Sequence, residues 1–161
     1  MSAPLNELDA TTLSKQLAAR EITAEQVVRA CLERIDAREG EVNAWVHLDS
    51  KAAVKKAQQL DKGPIQGLLH GVPIGVKDLF DTVDMPTTYG SGIYRSLQPA
   101  ADASVVALSR EQGAIMLGKT VTTEFATFTP GKTRNPHRLT HTPGGSSSGS
   151  AAAVADYMVT L

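Results

Sequence analysis

The sequence lacks several features that assign a chain to a class of protein at once. Its single cysteine, Cys31, cannot form a disulfide within the chain, which fits a reducing compartment. No run of about 18 apolar residues is present, which argues against a transmembrane helix. The 16 basic and 17 acidic side chains nearly cancel, which argues against a surface for nucleic acid or an anionic membrane. The first residues resemble no signal peptide, so a cytoplasmic protein is expected.

What the sequence does contain is ordinary for a globular protein. With 161 residues, 42% of them hydrophobic and 20% charged, the chain has the size and composition of one domain. A chain of this length buries roughly 70% of its unfolded surface on folding.

Residues 1–62 are predicted to form a helical N-terminal segment. A capping-box spacing begins at Thr23 and precedes a helix with one continuous apolar face. Cys31 lies on that face, so it is interpreted as a core residue, because an apolar setting disfavours a reactive thiolate. A short strand is predicted over Val42–Leu48 and a further helix over Ser50–Leu60.

Residues 63–161 are predicted to form an α/β core. An apolar run over residues 71–77 ends abruptly in charge, and Ala114–Gly118 is typical of a strand buried on both faces. Between them, Asp102 is predicted to cap a helix that ends at Gly113. Helix, short turn, buried strand and loop together indicate an α/β arrangement.

The most informative stretch is the serine–glycine loop, Thr142–Ser150, which leads into the helix pattern Ala151–Ala155. Its small residues leave backbone amides uncovered, and a helix start adds the positive end of its dipole. Such a loop suits a developing negative charge. A flexible linker is the alternative interpretation. A nucleotide-phosphate loop needs a lysine after its final glycine, where Ser150 stands.

The apolar pattern continues to the last residue. Val154, Tyr157 and Met158 are predicted to form one stripe of the last helix, and Met158–Leu161 is predicted to begin a strand. Because a buried strand needs a partner, the pattern leads us to expect a longer natural chain.

Among the charged residues, Lys77 is the strongest candidate for a catalytic role. At the end of an apolar segment a lysine is partly desolvated, which lowers its pKa and makes it a base for a hydroxyl nucleophile. The alternative is that Lys77 pairs with Asp78 or another neighbour at a surface turn. No metal is expected: His137 and His141 lie in a loop without a carboxylate cluster.

Together these segments resemble the amidase signature family of serine amidohydrolases. The resemblance covers nearly the whole chain, less closely in the helical start. It implies a mixed sheet flanked by helices, hydrolysis of a small-molecule amide to an acid plus ammonia or an amine, and no cofactor. The matching motifs are Gly71–Asp78, Gly118–Thr120, Glu124–Ala126, Asn135-Pro136 and Thr142–Ala155.

The resemblance also implies roles for individual residues. Lys77 matches the family's lysine base, and Ser146 matches the serine that bridges the base and the nucleophile. The peptide bond from Gly145 to Ser146 is expected to be cis. Gly144, Ser147 and Ser148 match the rest of that loop.

The nucleophile of the family lies roughly two dozen residues past the bridging serine, beyond Leu161. The chain is therefore expected to carry two of the three catalytic residues and to hydrolyse no amide by itself. A local alternative makes Ser146, Ser147 or Ser148 the nucleophile with Lys77 as its base.

Two positions depart from the family pattern: Val121 stands where asparagine is frequent, and Ser148 replaces a glycine. Both concern loop packing more than mechanism. Ala126, Thr127 and Phe128 align with the region that lines the acyl pocket. Phe125 and Phe128 would suit an apolar or aryl acyl group, unless both rings pack inside.

Two other functions remain open at this point. One is the amidotransferase subunit that feeds ammonia to misacylated tRNA, which would bring partner chains. The other is a non-catalytic binding or scaffold module. A homo-oligomer or a missing C-terminal part is also left open.

Overall fold

Three strands form one mixed sheet in the computed structural model, which describes residues 3–161. The strands are β1 (Trp45–Leu48), β2 (Pro73–Lys77) and β3 (Ile115–Thr120), in the order β1-β3-β2. β1 runs antiparallel to β3, and β2 runs parallel to it. The predicted mixed sheet flanked by helices is confirmed.

Five α-helices surround the sheet within the described range. Short 3₁₀ turns precede α1 and follow β2 and β3. None of these helices is long and apolar enough to cross a membrane. The helices are α1 (Ala10–Ala18), α2 (Ala24–Val42), α3 (Ser50–Lys62), α4 (Ser104–Glu111) and α5 (Ser148–Ala155).

The start of α2 follows the predicted capping box. The Thr23 side chain accepts a hydrogen bond from the amide of Gln26, and the Gln26 side chain accepts one from the amide of Thr23. Cys31 is fully buried in the face of this helix. Burial raises the pKa of its thiol to about 12, which agrees with a core role. The strand that follows is shorter than predicted, because Val42 is the last residue of α2.

The start of α4 differs from the prediction. Its N-cap is Ala103, and the Asp102 side chain does not cap it. The Asp102 carboxylate instead accepts a hydrogen bond from the amide of Val83 and pairs with Arg110 at 2.9 Å. Gly113 does follow the helix in a left-handed conformation, with φ +84°.

The predicted stripe and strand at the C-terminus are wrong. Helix α5 ends at Ala155, and Val154 and Tyr157 are both about half exposed. Tyr157 turns the chain with φ +56°, and no strand forms over residues 158–161. The carbonyl of Leu161 nevertheless accepts a hydrogen bond from the amide of Gly75, so the chain passes beside β2.

The sheet separates two apolar clusters. The larger one lies among α1, α2, α3 and α5 and includes the buried Trp45 of β1. The smaller one joins Val76 of β2 and Met116 of β3 to Val106 of α4. Strand β3 is buried along its whole length because it lies between these clusters and between the other two strands.

Helix α5 approaches the sheet so closely that only glycine fits at its second residue. A Cβ on Gly149 would overlap the backbone of Val121 and Ala44. We expect Gly149→Ala to lower the free energy of unfolding by about 2–3 kcal/mol, as overpacking does. The matched control is Gly40→Ala in α2, where nothing lies within 4 Å. That change should raise stability by about 0.5–1 kcal/mol. Urea denaturation of both variants measures this, and equal stabilities would contradict the close packing.

Candidate active site

The structure brings Lys77 and Ser146 into direct contact. Lys77 is the last residue of β2, and Ser146 lies in the serine–glycine loop just before α5. The Lys77 Nζ lies 2.6 Å from the Ser146 Oγ, although the two residues are 69 positions apart. A proton can pass between an amine and a hydroxyl at this distance.

The serine–glycine loop is fixed to the chain that leaves β3. The amide of Thr123 donates to the carbonyl of Ser146 at 3.0 Å, and the amide of Gly149 donates to the carbonyl of Val121 at 2.8 Å. The peptide bond from Gly145 to Ser146 is cis. A Cβ on Gly145 would lie 2.8 Å from the Thr123 methyl group, so the loop needs a residue without a side chain there.

The surroundings of Lys77 favour its neutral form. Burial lowers the pKa of its amine below the ordinary value of 10.5. The ion pair with Asp78 that the sequence left open is wrong. The Asp78 carboxylate accepts from the amide of Thr88 and lies 3.4 Å from the Nζ of Lys119. Among the residues described, Lys77 has no carboxylate partner that would stabilise its charged form.

The neighbouring serines differ from Ser146 in their environments. Ser148 is buried, and its hydroxyl donates to the carbonyl of Val121 at 3.4 Å. Ser147 is exposed, and its side chain does not cap α5. Gly144, with φ +88°, is also exposed. Neither Ser147 nor Ser148 has Lys77 as a hydrogen-bond partner within residues 3–161.

Ser150 and Thr120 form a polar contact that the sequence analysis missed. Their hydroxyl oxygens lie 2.7 Å apart, and Thr120 is the register partner of Lys77 on β3. No local signal in the sequence indicated this contact, because the two residues are 30 positions apart. The contact ties the first turn of α5 to the strand beside the amine.

A cavity of about 270 Å³ opens beside Lys77, Ser147 and Ser150. Most of its other lining side chains are apolar. They come from β2, β3, α4 and the turn after β2, and include Ile74, Val76, Phe80, Val105, Val106 and Met116.

The residues predicted for an acyl pocket lie elsewhere. Ala126, Thr127 and Phe128 are exposed, and none of them lines the cavity beside Lys77. Phe128 is 99% exposed and Phe125 is 44% exposed, so the alternative in which both rings pack inside is wrong. An acyl-binding role for residues 126–128 stays a prediction.

His137 and His141 belong to no group of potential metal ligands among the residues that the structure describes. Within residues 3–161, no three His, Cys, Asp or Glu side chains lie close enough together to hold a metal ion. His70 is buried beneath the turn before β2, where its Nδ1 accepts from the amide of Gln66.

Known proteins match most of this chain. A family model described as Amidase matches residues 26–161. The A-type subunit of glutamyl-tRNA(Gln) amidotransferase from Acidothermus cellulolyticus is 44% identical over 94% of this chain and 32% of the relative. The protein of that name from Mycobacterium leprae is 39% identical over 96% of this chain and 33% of its own length. The chain thus spans about a third of the curated relatives it matches.

Solved structures agree with these matches. The peptide amidase from Stenotrophomonas maltophilia has a TM-score of 0.89 and 34% identity, over 97% of this chain and 35% of that protein. A fatty acid amide hydrolase has a TM-score of 0.89 and 26% identity, over 99% of this chain and 31% of that protein.

The lowered pKa of Lys77 can be measured by chemical labelling. We expect acetylation of Lys77 by acetic anhydride to reach half of its maximal rate below pH 10.5, because burial disfavours the ammonium form. Mass spectrometry of the peptide that contains Lys77 gives this rate across a pH series. Lys77→Arg removes the signal and serves as the control. Half-maximal labelling at or above pH 10.5 would contradict the lowered pKa.

Proposed function

The chain belongs to the amidase family, and we propose that it supplies the proton-transfer groups of an enzyme that hydrolyses a carboxylic amide. The products are a carboxylic acid and ammonia or an amine. The observation that carries the proposal is the 2.6 Å contact between the Lys77 Nζ and the Ser146 Oγ. Its chemistry is that of a hydroxyl nucleophile activated through a lysine base.

The proposed reaction moves one proton from the attacking serine towards Lys77 and then from Lys77 to the leaving nitrogen. Neutral Lys77 accepts the proton of the Ser146 hydroxyl, and Ser146 takes a proton from the attacking serine. That serine forms an ester bond with the acyl carbon while the carbon–nitrogen bond breaks. The proton returns from Lys77 through Ser146 to the leaving nitrogen. Water then cleaves the ester by the same relay and releases the acid.

The attacking serine is proposed to lie outside these 161 residues. The resemblance assigns Ser146 the bridging role, and the burial of Ser148 supports a packing role for that hydroxyl. The cavity beside Lys77 would hold part of a small-molecule amide. An acyl-binding role for residues 126–128 is part of the same proposal.

A graft into a relative tests the proposed roles. Residues 1–161 would replace the matching third of the Stenotrophomonas maltophilia peptide amidase, which is 34% identical. We expect a folded chimera to hydrolyse a peptide amide. Lys77→Met and Ser146→Ala should each reduce kcat by about 10⁴-fold or more, since each removes a member of the relay.

The control for this graft is Ser104→Ala at an exposed position at the start of α4, which should change kcat by less than about tenfold because Ser104 lines no part of the cavity and lies outside the relay. Circular dichroism and thermal unfolding establish that each variant is folded. A folded Lys77→Met chimera that keeps its kcat would contradict the assignment of the base.

The position of the nucleophile can be tested with a fluorophosphonate. We expect the isolated 161-residue chain to remain unlabelled and to release no ammonia from amides, because the attacking serine is absent from it. The folded chimera should be labelled on a serine outside the graft. Mass spectrometry locates the label, and modification of Ser146, Ser147 or Ser148 in the isolated chain would favour the local alternative.

A second candidate function is favoured by the curated relatives. The two glutamyl-tRNA(Gln) amidotransferase subunits described above are 39% and 44% identical to this chain. In that case the same relay would release ammonia for transfer to a misacylated tRNA, and the chain would act with partner chains. Co-purification with a tRNA-binding partner would favour this candidate over a free-standing amidase.

A further inference from the structure

A lysine without any exposed surface lies next to the candidate site. Lys119 is the penultimate residue of β3, and its side chain is 0% exposed. Its Nζ donates to the carbonyl of Phe80 at 2.8 Å and to the hydroxyl of Thr87 at 2.6 Å. The carbonyl of Pro86 lies at 3.4 Å. All of these neighbours can accept, and an ammonium group has only donors, so this cage fits the charged lysine.

The charge of Lys119 is balanced by Asp78. The Asp78 side chain is also 0% exposed, and its Oδ1 lies 3.4 Å from the Lys119 Nζ. Burial lowers the pKa of Lys119, and the Asp78 carboxylate opposes that shift. The same carboxylate accepts from both the amide and the hydroxyl of Thr88. Residues 78–88 are therefore closed into a loop around the buried ammonium.

This loop begins directly after Lys77. The amide of Asp78 donates to the carbonyl of Thr120 at 3.0 Å, which fixes the end of β2 to β3. The carbonyl of Lys77 accepts from the amides of Leu79 and Phe80 at 2.7 and 3.0 Å. The carbonyl of Lys77 and the amide that follows it are thus connected to the segment that Asp78 and Lys119 hold.

The Lys119–Asp78 pair and the Thr120–Ser150 contact lie on opposite faces of the sheet. Thr120, whose hydroxyl contacts Ser150 of α5, is adjacent to Lys119 on β3, and adjacent strand residues point to opposite faces. The Lys119 ammonium therefore lies across the sheet from the face that carries Ser150, and its influence on Lys77 runs through the backbone.

We propose that Asp78 and Lys119 are positioning residues for Lys77, which fix the chain where β2 ends and so hold the Lys77 amine against Ser146. The inference rests on the proposed function. An apolar pair of similar volume often stabilises a fold as well as a buried ion pair does, so stability alone does not explain these two charges. The need to fix the backbone geometry at the end of β2 explains why both charges are present.

The test uses the 161-residue chain and the pH dependence of Lys77 acetylation. Lys119→Met should move the half-maximal pH upward by about 0.5 unit or more, which slows labelling about threefold below that pH. The reason is that a loosened end of β2 lets water reach the amine. Leu13→Ala, a fully buried site in α1, serves as a destabilised control and should leave the half-maximal pH unchanged.

A double variant separates positioning from charge. Asp78→Asn with Lys119→Met removes both charges, so a purely electrostatic influence on Lys77 would cancel, while lost positioning would still raise the half-maximal pH. A return of the double variant to the wild-type pH would overturn the proposal. Thr87→Val removes one acceptor from Lys119 and, should Lys119→Met fail to fold, gives a smaller shift in the same direction.

The outcomes also distinguish this inference from the proposed function. Half-maximal labelling of wild-type Lys77 at or above pH 10.5 would count against the proposed base itself. A lowered value that no variant moves beyond the Leu13→Ala control would overturn positioning alone.

Discussion

The parallel pairing of β2 with β3 determines where the groups of the candidate site lie. Its register places Lys77 opposite Thr120, so both strands end at the same edge of the sheet. The chain that leaves β3 at this edge reaches Thr123, whose amide donates to the carbonyl of Ser146. The amine and the hydroxyl come within 2.6 Å because both are attached to this one edge. Open α/β sheets commonly bind their ligands at the carboxyl ends of parallel strands.

Helix α5 gives the serine–glycine loop a fixed support because both of its ends are anchored. At its start, the amide of Gly149 donates to the carbonyl of Val121. Just past its end, the Asp156 carboxylate pairs with Arg34 at 2.7 Å and with Arg38 at 3.0 Å, both on α2. Asp156 is only 7% exposed, so these contacts are shielded from water and from salt more than surface pairs are. A loop attached to a fixed helix can hold a hydroxyl in one place.

Most of what the sequence predicted correctly depends on neighbours in the chain, and the contacts that it missed join distant residues. The capping box at Thr23 and the left-handed Gly113 are local, and both formed as expected. Asp102 failed as a cap because Arg110 and the amide of Val83 compete for its carboxylate. Lys119 belonged to a predicted motif, yet nothing in its local pattern indicated a buried ion pair with Asp78. Long-range pairing of that kind leaves no periodicity to detect.

The proximity of Lys77 and Ser146 belongs to the same class of long-range facts. Composition and spacing suggested a base and an anion-binding loop separately, and only the family resemblance joined them. The local pattern also left open an ion pair between Lys77 and Asp78, which the fold does not form. Strand alternation explains why: Asp78 directly follows the last residue of β2, and its side chain points to the opposite face, where it contacts Lys119.

That alternation has a chemical consequence for the proposed base. A carboxylate beside the Lys77 amine would stabilise the ammonium form and raise its pKa, which is the opposite of what a base near neutral pH requires. The fold turns the Asp78 carboxylate to the other face and neutralises it there with Lys119. Two neighbouring charges in the sequence are thereby kept apart in space. The Asp78 carboxylate binds Thr88 and Lys119, and the Lys77 amine contacts the Ser146 hydroxyl.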